Sequence, residues 1–209
     1  MKRPRFLATA REDLRVIVER DPSVKGIAEA LLHPSLPALW SYRTAHALRR
    51  RGLRFVAQVV SVLGRLLSGI EIHPGATVGR RLFIDHGTGV VVGETAVIGD
   101  DVTLYHQVTL GAVGWWRDNR RPAGQRRHPA IGNRVVVGTN ATILGPVMIG
   151  DGAVIGAQAF VVDDVPAGAH VVAPAAIVKP ARMPDVPTVA VPEAEPSPDR
   201  AVPVHAHEH

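Results

Sequence analysis

The chain has no cysteine, which excludes a disulfide framework, a thiolate nucleophile and any cysteine-ligated metal. Acyl transfer through a cysteine thioester is excluded with them. Long apolar runs are missing too. The N-terminus is basic, but Arg11, Glu12 and Asp13 arrive before an apolar core develops, so no signal peptide is expected. The most apolar window, Phe55 to Leu67, contains Gln58 and Arg65 and is too short to span a bilayer. A soluble, cytoplasmic protein without membrane contact is expected. Nor is there one long block of charge. Against 19 Asp plus Glu stand 24 Lys plus Arg, a net charge of +5 over 209 residues. That balance suits an anionic small ligand at least as well as nucleic acid, and no nucleic-acid partner is expected. The length allows one or two domains with ample core.

What the sequence does have is a repeat of six. Stepping by six from Ile72 reaches Val78, Ile84, Val90, Ala96, Val102 and Val108; stepping from Ile131 reaches Val137, Ile143, Ile149, Ile155 and Val161. Small residues recur four places on, at Ala76, Thr88, Ala112, Ala141, Ala153 and Ala159, and glycine often follows the aliphatic, as at Gly79, Gly132, Gly138, Gly150 and Gly156. A period of six fits neither an amphipathic helix nor an alternating strand. It fits a coil of three short strands, one hexapeptide per side, stacked on the next coil at about 4.8 Å. The aliphatics then point inward, the small residues sit near the corners and the glycines permit tight turns.

Before the repeat the pattern is helical. Arg5 to Arg20 places Leu7, Ala10, Leu14, Ile17 and Val18 on one stripe, closed by Asp21-Pro22. Ile27 to Leu32 is a short apolar piece stopped before Pro34. Leu36 to Arg51 ends in three arginines, where cations favour the helix dipole, with Gly52 beyond as a cap. Leu53 to Ser68 is a further helix leading to Gly69. Such a block suits the open end of a solenoid, whose strand edges would otherwise be unpaired. The division is thus a helical domain over 1–69, a repeat domain over 70–179, and a Pro-rich tail over 180–209 expected to be disordered. The terminal HAHEH is read as a polar tail or a weak metal site.

Ionisable groups on regular coils are the candidates for chemistry: Glu71, His73, Asp85 and His86, with Glu94, Asp100 and His106 standing where the small residue is expected. Residues 114–130, GWWRDNRRPAGQRRHPA, have no register. Removing these 17 residues restores it, so a loop is extruded from one corner. It carries Trp115, Trp116, five Arg and His128, and excursions of this length are usually functional. His73 and His106 are read equally as packing or functional residues; Trp115 and Trp116 as a loop anchor or the wall of a ligand site.

Two stretches, IEIHPGATVGRRLFIDHGTGVVVGETAVIGDDVTLYHQVTLG and RRHPAIGNRVVVGTNATILGPVMIGDGAVIGAQAFVVDDVPAGA, resemble the serine O-acetyltransferase family of hexapeptide-repeat acyltransferases. DHGTGVVVGETA and RHP are its specific motifs, and ERDPSV and ALWSYRTAH extend the likeness into the helical part. The resemblance runs from about Asp13 to Lys179. It implies an α+β chain: helices followed by a left-handed parallel β-helix, an exception to right-handed crossovers. It also implies acetyl transfer from acetyl-CoA to the L-serine hydroxyl, the first committed step of cysteine synthesis, by direct attack and with no metal. A homotrimer is implied, with trimers able to pair and the site between neighbouring solenoids.

A serine hydroxyl needs a base near the working pH, for which histidine is the natural side chain, with a carboxylate to orient it. By resemblance His86 is that base, and Glu71 stands where the family commonly has the partner Asp. Asp21, Asp85, Arg127 and His128 match positions that hold the amino acid, carboxylate to ammonium and guanidinium to carboxylate. His128 or a backbone N–H supplies the donor for the oxyanion. Acetyl-CoA lies along Gly138, Thr139, Gly156 and Ala157, with Lys179 toward its phosphates. Three departures are visible: Ala112-Val113-Gly114-Trp115-Trp116 after VTLG, Ala173-Pro174-Ala175-Ala176 near the close of the repeat, and Glu208-His209 where a cysteine-synthase-binding member ends in Ile, so that complex is not expected. The alternatives are a same-fold acetyltransferase acting on homoserine, a sugar or an antibiotic, a γ-carbonic-anhydrase-like metal hydratase ligated by histidines, and a non-catalytic assembly protein.

Overall fold

A computed structural model describes residues 6–114, 116, 120–122 and 124–177. Four helices come first: α1 (Phe6–Arg20), α2 (Ile27–Ala30), α3 (Ser35–Arg50) and α4 (Arg54–Ser68). Both glycine stops are used: Gly52 and Gly69 follow α3 and α4 with φ of 84° and 70°, the left-handed conformation that costs glycine nothing. Fourteen short strands follow in three parallel sheets. The first sheet stacks β1 (Glu71–Ile72), β4 (Val91–Val92), β7 (Thr109–Gly111), β10 (Thr142–Leu144) and β13 (Phe160–Val161). The second stacks β2 (Thr77–Val78), β5 (Val97–Ile98), β8 (Ala130–Ile131) and β11 (Met148–Ile149). The third stacks β3 (Phe83–Ile84), β6 (Thr103–Leu104), β9 (Val136–Val137), β12 (Val154–Ile155) and β14 (His170–Val171). The chain visits the three sheets in turn, so each coil is a three-sided circuit.

The strand register corrects the frame expected from sequence. Ile72 pairs with Val92, a step of 20 residues, whereas Val92 pairs with Leu110 and Ile131 with Ile149, steps of 18. Two extra residues therefore lie in the turn between β3 and β4, the turn that contains His86. The loop before β8 is correspondingly shorter than a 17-residue excision implies, since two of those residues belong to this turn. From Val90 to Val108 the sequence frame followed the wrong column. Val92, Ile98, Leu104 and Leu110 are the inward strand positions, and Val90, Ala96, Val102 and Val108 are buried two residues earlier at the corners. Glu94, Asp100 and His106 are thus ordinary outward corner positions, not breaks in the small-residue column.

The glycines after the aliphatics also have another cause than turn formation. Gly79, Gly132, Gly138, Gly150 and Gly156 are absent from the positive-φ residues. A Cβ on Gly138 would fall 2.6 Å from the Ala157 amide nitrogen, and one on Gly156 would fall 2.8 Å from the Val171 carbonyl oxygen. Stacking of one coil on the next demands glycine there. The left-handed turn residue comes two places later, at Arg81, Asp101, Gln107, Arg134, Asn140 and Gln158.

Helix α3 closes the N-terminal end of the coil stack. Ala38, Leu39 and Tyr42 share one buried cluster with Ile72, Ile84 and the rest of the coil interior. The Tyr42 hydroxyl donates to the Ala76 carbonyl at 2.7 Å and accepts from the Val78 amide at 3.2 Å. Burial pushes its phenol up to about 12, so it keeps the proton it donates. Asp13 of α1 is fully buried and accepts two hydrogen bonds from Arg43 of α3, at 2.6 and 2.7 Å. α4 is turned the other way. It buries its small residues Ala57, Gly64 and Ser68, and a Cβ on Gly64 would fall on the Ser41 side chain of α3. Phe55, Leu63, Leu66 and Leu67 are left exposed. Among the described residues no helix is long and apolar enough to cross a membrane.

Candidate active site

The candidate residues gather on two edges of the three-sided coil. The first edge, between the third and first sheets, carries the lengthened turn. His86 and Gly87 both have positive φ, 57° and 74°, and Gly89 follows at 78°, a run that matches no other corner among the described residues. It lifts the His86 imidazole into solvent, with 79% of the side chain exposed, 3.7 Å from the Asp85 carboxylate. The His106 ring stands edge-on to it, centroids 6.0 Å apart. From the helical part, Asp21 lies close enough to His86 for their charges to interact, and two hydrogen bonds from Ser23 chiefly hold its carboxyl below the ordinary value.

Below His86 the edge continues as a column. The amides of Gln107, Asn140 and Gln158 donate to the carbonyls of Thr88, His106 and Thr139. His106 Nε2 meets the Thr139 hydroxyl at 2.7 Å, while its Nδ1 is buried without a partner. Gly138, Thr139, Gly156 and Ala157 all lie on this edge. Lys179 lies outside the described residues, as do Trp115 and the 180–209 tail.

The second edge, between the first and second sheets, carries His128. Its ring lies in the space that a Cβ on Gly93 would occupy. Thr95 holds it: the Thr95 amide donates to His128 Nδ1 at 3.2 Å, and the Thr95 hydroxyl meets Nδ1 at 2.8 Å while accepting from the amides of Arg127 and His128. An amide can only donate, so Nδ1 is an acceptor and the neutral ring carries its proton on Nε2. Arg126 staples the same segment to the carbonyls of Pro146 and Val147 at 2.8 and 2.9 Å.

Glu94 bridges Arg127 at 2.8 Å and Arg49 of α3 at 2.5 Å. Burial opposes its ionisation, but His73, Arg49 and Arg127 together hold its carboxyl below the ordinary value. A cleft of about 300 Å³ opens here, lined by Glu94, Thr95, Arg127 and the loop residues Arg121, Pro122 and Gln125.

Glu71 is engaged by α4. Its carboxylate pairs with Arg65 of α4 at 2.8 Å and shares a small cleft with Ser61 and His73. No Glu71–His86 ion pair forms among the described residues. The three histidines weighed as metal ligands are also divided: His73 is on the second edge, His86 and His106 on the first. Among the described residues no three His, Cys, Asp or Glu side chains converge on one point.

Residues 128–163 match the family described as bacterial transferase hexapeptide (six repeats). Serine acetyltransferase of Helicobacter pylori is 50% identical over 160 residues, 76% of this chain and 90% of that protein. The chain belongs to the serine acetyltransferase family. Solved members superpose well. Soybean serine acetyltransferase complexed with serine gives a TM-score of 0.74 at 40% identity, covering 84% of this chain and 70% of that one. Serine acetyltransferase of Brucella abortus in complex with coenzyme A gives 0.74 at 33% identity, covering 83% and 67%. Other crystallised members are longer, and this chain covers only 60% of the Vibrio cholerae enzyme.

Against this serine acetyltransferase frame, sequence reasoning missed three side chains that hold the site. Thr95 fixes the His128 tautomer, and Arg49 holds the far side of Glu94. His33 is buried beside Asp21. Thr95 and Glu94 lie within the GETA motif and were available; Arg49 and His33 reach the site only through helix packing.

Proposed function

We propose that the chain transfers the acetyl group of acetyl-CoA to the hydroxyl of L-serine, giving O-acetyl-L-serine for cysteine synthesis, with His86 as general base. The observation that carries the reading is His86 standing exposed on the lengthened turn, beside Asp21 and Asp85, at the head of the Thr139 column. The His86 imidazole takes the hydroxyl proton as the serine oxygen attacks the thioester carbonyl carbon. The tetrahedral oxyanion then collapses, the carbon–sulfur bond breaks, and the CoA thiolate recovers the proton from the imidazolium. Asp85 is the carboxylate placed to support that imidazolium; Glu71, implied for this role by the resemblance, would first have to leave Arg65. Asp21 and Asp85 attract the substrate ammonium, and Arg127 its carboxylate. His128, with its proton on Nε2, is the oxyanion donor.

Within one chain the two edges are a full side of the coil apart, roughly 15–20 Å at about 3.3 Å per residue. A site using both needs a neighbouring copy, so we infer a homotrimer of left-handed β-helices, able to pair into a dimer of trimers. The exposed apolar face of α4 supports self-association. Acetyl-CoA is assigned to the column of Gly138, Thr139, Gly156 and Ala157, with Lys179 reaching its phosphates, and the enzyme to the cytoplasm.

The test is CoA release followed with a thiol reagent, for which a cysteine-free protein gives no background. Saturable release is expected with L-serine, and His86→Ala should lower kcat by about 10² to 10⁴. Turnover only with homoserine, threonine or a sugar would reassign the acceptor.

A further inference from the structure

His33 lies between α2 and α3, outside every motif that sequence reasoning singled out. Only 7% of its side chain is exposed, and its ring packs on Phe83 with centroids 6.0 Å apart. The Ser35 amide donates to His33 Nδ1 at 3.3 Å and the Ser35 hydroxyl meets the same nitrogen at 2.7 Å. Because the amide can only donate, Nδ1 is an acceptor and the neutral ring carries its proton on Nε2. That Nε2–H faces Asp21 Oδ2 at 3.7 Å. The other Asp21 oxygen, Oδ1, is occupied by the Ser23 amide and hydroxyl at 2.9 and 2.6 Å. One carboxylate oxygen is therefore locked within its own turn, and the other is left to His33 and the site.

We propose that His33 is a positioning residue that aims the Asp21 carboxylate at the substrate's α-ammonium group through the neutral Nε2–H it turns toward that carboxylate, and so selects acceptors that carry an amino group. This rests on the serine reading above. The choice of a neutral donor has a chemical reason. An arginine or lysine at this place would orient Asp21 equally well but would cancel its charge and repel the ammonium. Burial pushes the His33 imidazole below its ordinary value, against the opposing pull of Asp21 and Asp85, while the His86 charge acts in the same direction as burial. Those three are the charged groups that act on His33 among the described residues, and burial, the largest influence, favours the neutral ring.

The experiment compares His33→Phe, His33→Gln and His33→Asn with Asp21→Asn and the parent enzyme. A glutamine carries its N–H at the ε position and reaches Asp21; an asparagine reaches only toward Ser35. We expect His33→Phe and His33→Asn to raise KM for L-serine about tenfold or more, with kcat and KM for acetyl-CoA changed less than about twofold. His33→Gln should recover most of the loss. The inhibition constant of 3-hydroxypropanoate, serine without its amino group, should not move in any His33 variant.

If His33→Phe misfolds, the glutamine and asparagine pair decides alone. Equal losses for serine and 3-hydroxypropanoate would overturn the proposal, since His33 would then merely shape the pocket. So would an unchanged KM for serine in His33→Asn while Asp21→Asn raises it, an outcome that leaves the serine reading intact. An unaffected Asp21→Asn would remove Asp21 from the ammonium site and the proposal with it. Absence of serine turnover by the parent would overturn the serine reading itself, and this inference too.

Discussion

The two candidate edges use the same hexapeptide coil in opposite ways. On the His86 edge the coil is made irregular: two extra residues and consecutive left-handed conformations push one imidazole into solvent. On the His128 edge the chain makes a longer excursion between β7 and β8, yet the imidazole that ends it is buried. Its tautomer is set by Thr95, its ring seat by Gly93 and its backbone by Arg126. For the roles proposed above, a base must move a proton, whereas an electrostatic donor works best preorganised. The difference teaches that the coil supplies a rigid edge and that the contacts around an insertion, not its length, decide whether a side chain on it is exposed or held.

Trimming the His86 turn breaks the contrast most severely. Deleting Thr88 and Gly89 returns the turn to the length of the other corners, so the coil should fold with unchanged circular dichroism. The imidazole would be re-aimed, and kcat should fall by at least about a hundredfold. Retained activity would mean that the extra residues do not set the position of His86. On the other edge, Gly93→Ala places a methyl where the His128 ring lies. We expect the ring to be displaced, stability to fall by about 1–3 kcal/mol in urea titrations, and kcat to fall roughly tenfold. Thr95→Val keeps the shape but removes the hydroxyl that three groups share. A loss of about threefold to tenfold in kcat/KM is expected, with thermal stability close to the parent.

The smallest effect is in the pH dependence of stability. His33 and His73 are held below their ordinary value chiefly by burial, so the unfolded chain binds their protons first. Stability from these groups is intact above about 6.5 and declines as the pH falls through that value toward their folded values. Glu94 is also lowered, by His73, Arg49 and Arg127 against burial, so its contribution is present above the ordinary 4.5 and is lost below it as the folded value is passed. Glu94→Gln should flatten the acid limb below about 4.5 in urea midpoints measured from pH 7 to 3. An unchanged limb would mean that the Arg49–Glu94–Arg127 bridge does not bias the fold.

Much of the fold was legible because burial repeats with the chain. Ile72, Ile131, Ile143, Ile149 and Ile155 mark a core column that no helix or flat sheet would produce, and the stop signals at Gly52 and Gly69 are local chemistry. The frame between Val90 and Val108 was misread for a physical reason. The corner column two residues earlier is buried and aliphatic as well, so either column satisfies the hydrophobic pattern. Only backbone pairing of Ile72 with Val92 distinguishes them. The repeated glycines were legible as positions but not as causes, because the atom that forbids a Cβ at Gly138 belongs to Ala157 in the next coil.

The candidate site divides along the same line. His86 and Asp85 announced themselves because the DHGTG turn is local, and His128 because it ends an excursion from the repeat. Glu71 was assigned to His86 by its place in the motif, yet its nearest cation is Arg65, on a helix that the motif does not contain. By itself the sequence determined the hexapeptide coil, the preceding helices and the residue types available for acyl transfer, since these depend on periodicity and local turn chemistry. The tertiary structure alone decided that Glu71 pairs with Arg65, which nitrogen of His33 and His128 carries the proton, and that the candidate residues are divided over two edges, because each depends on groups brought together from distant parts of the chain.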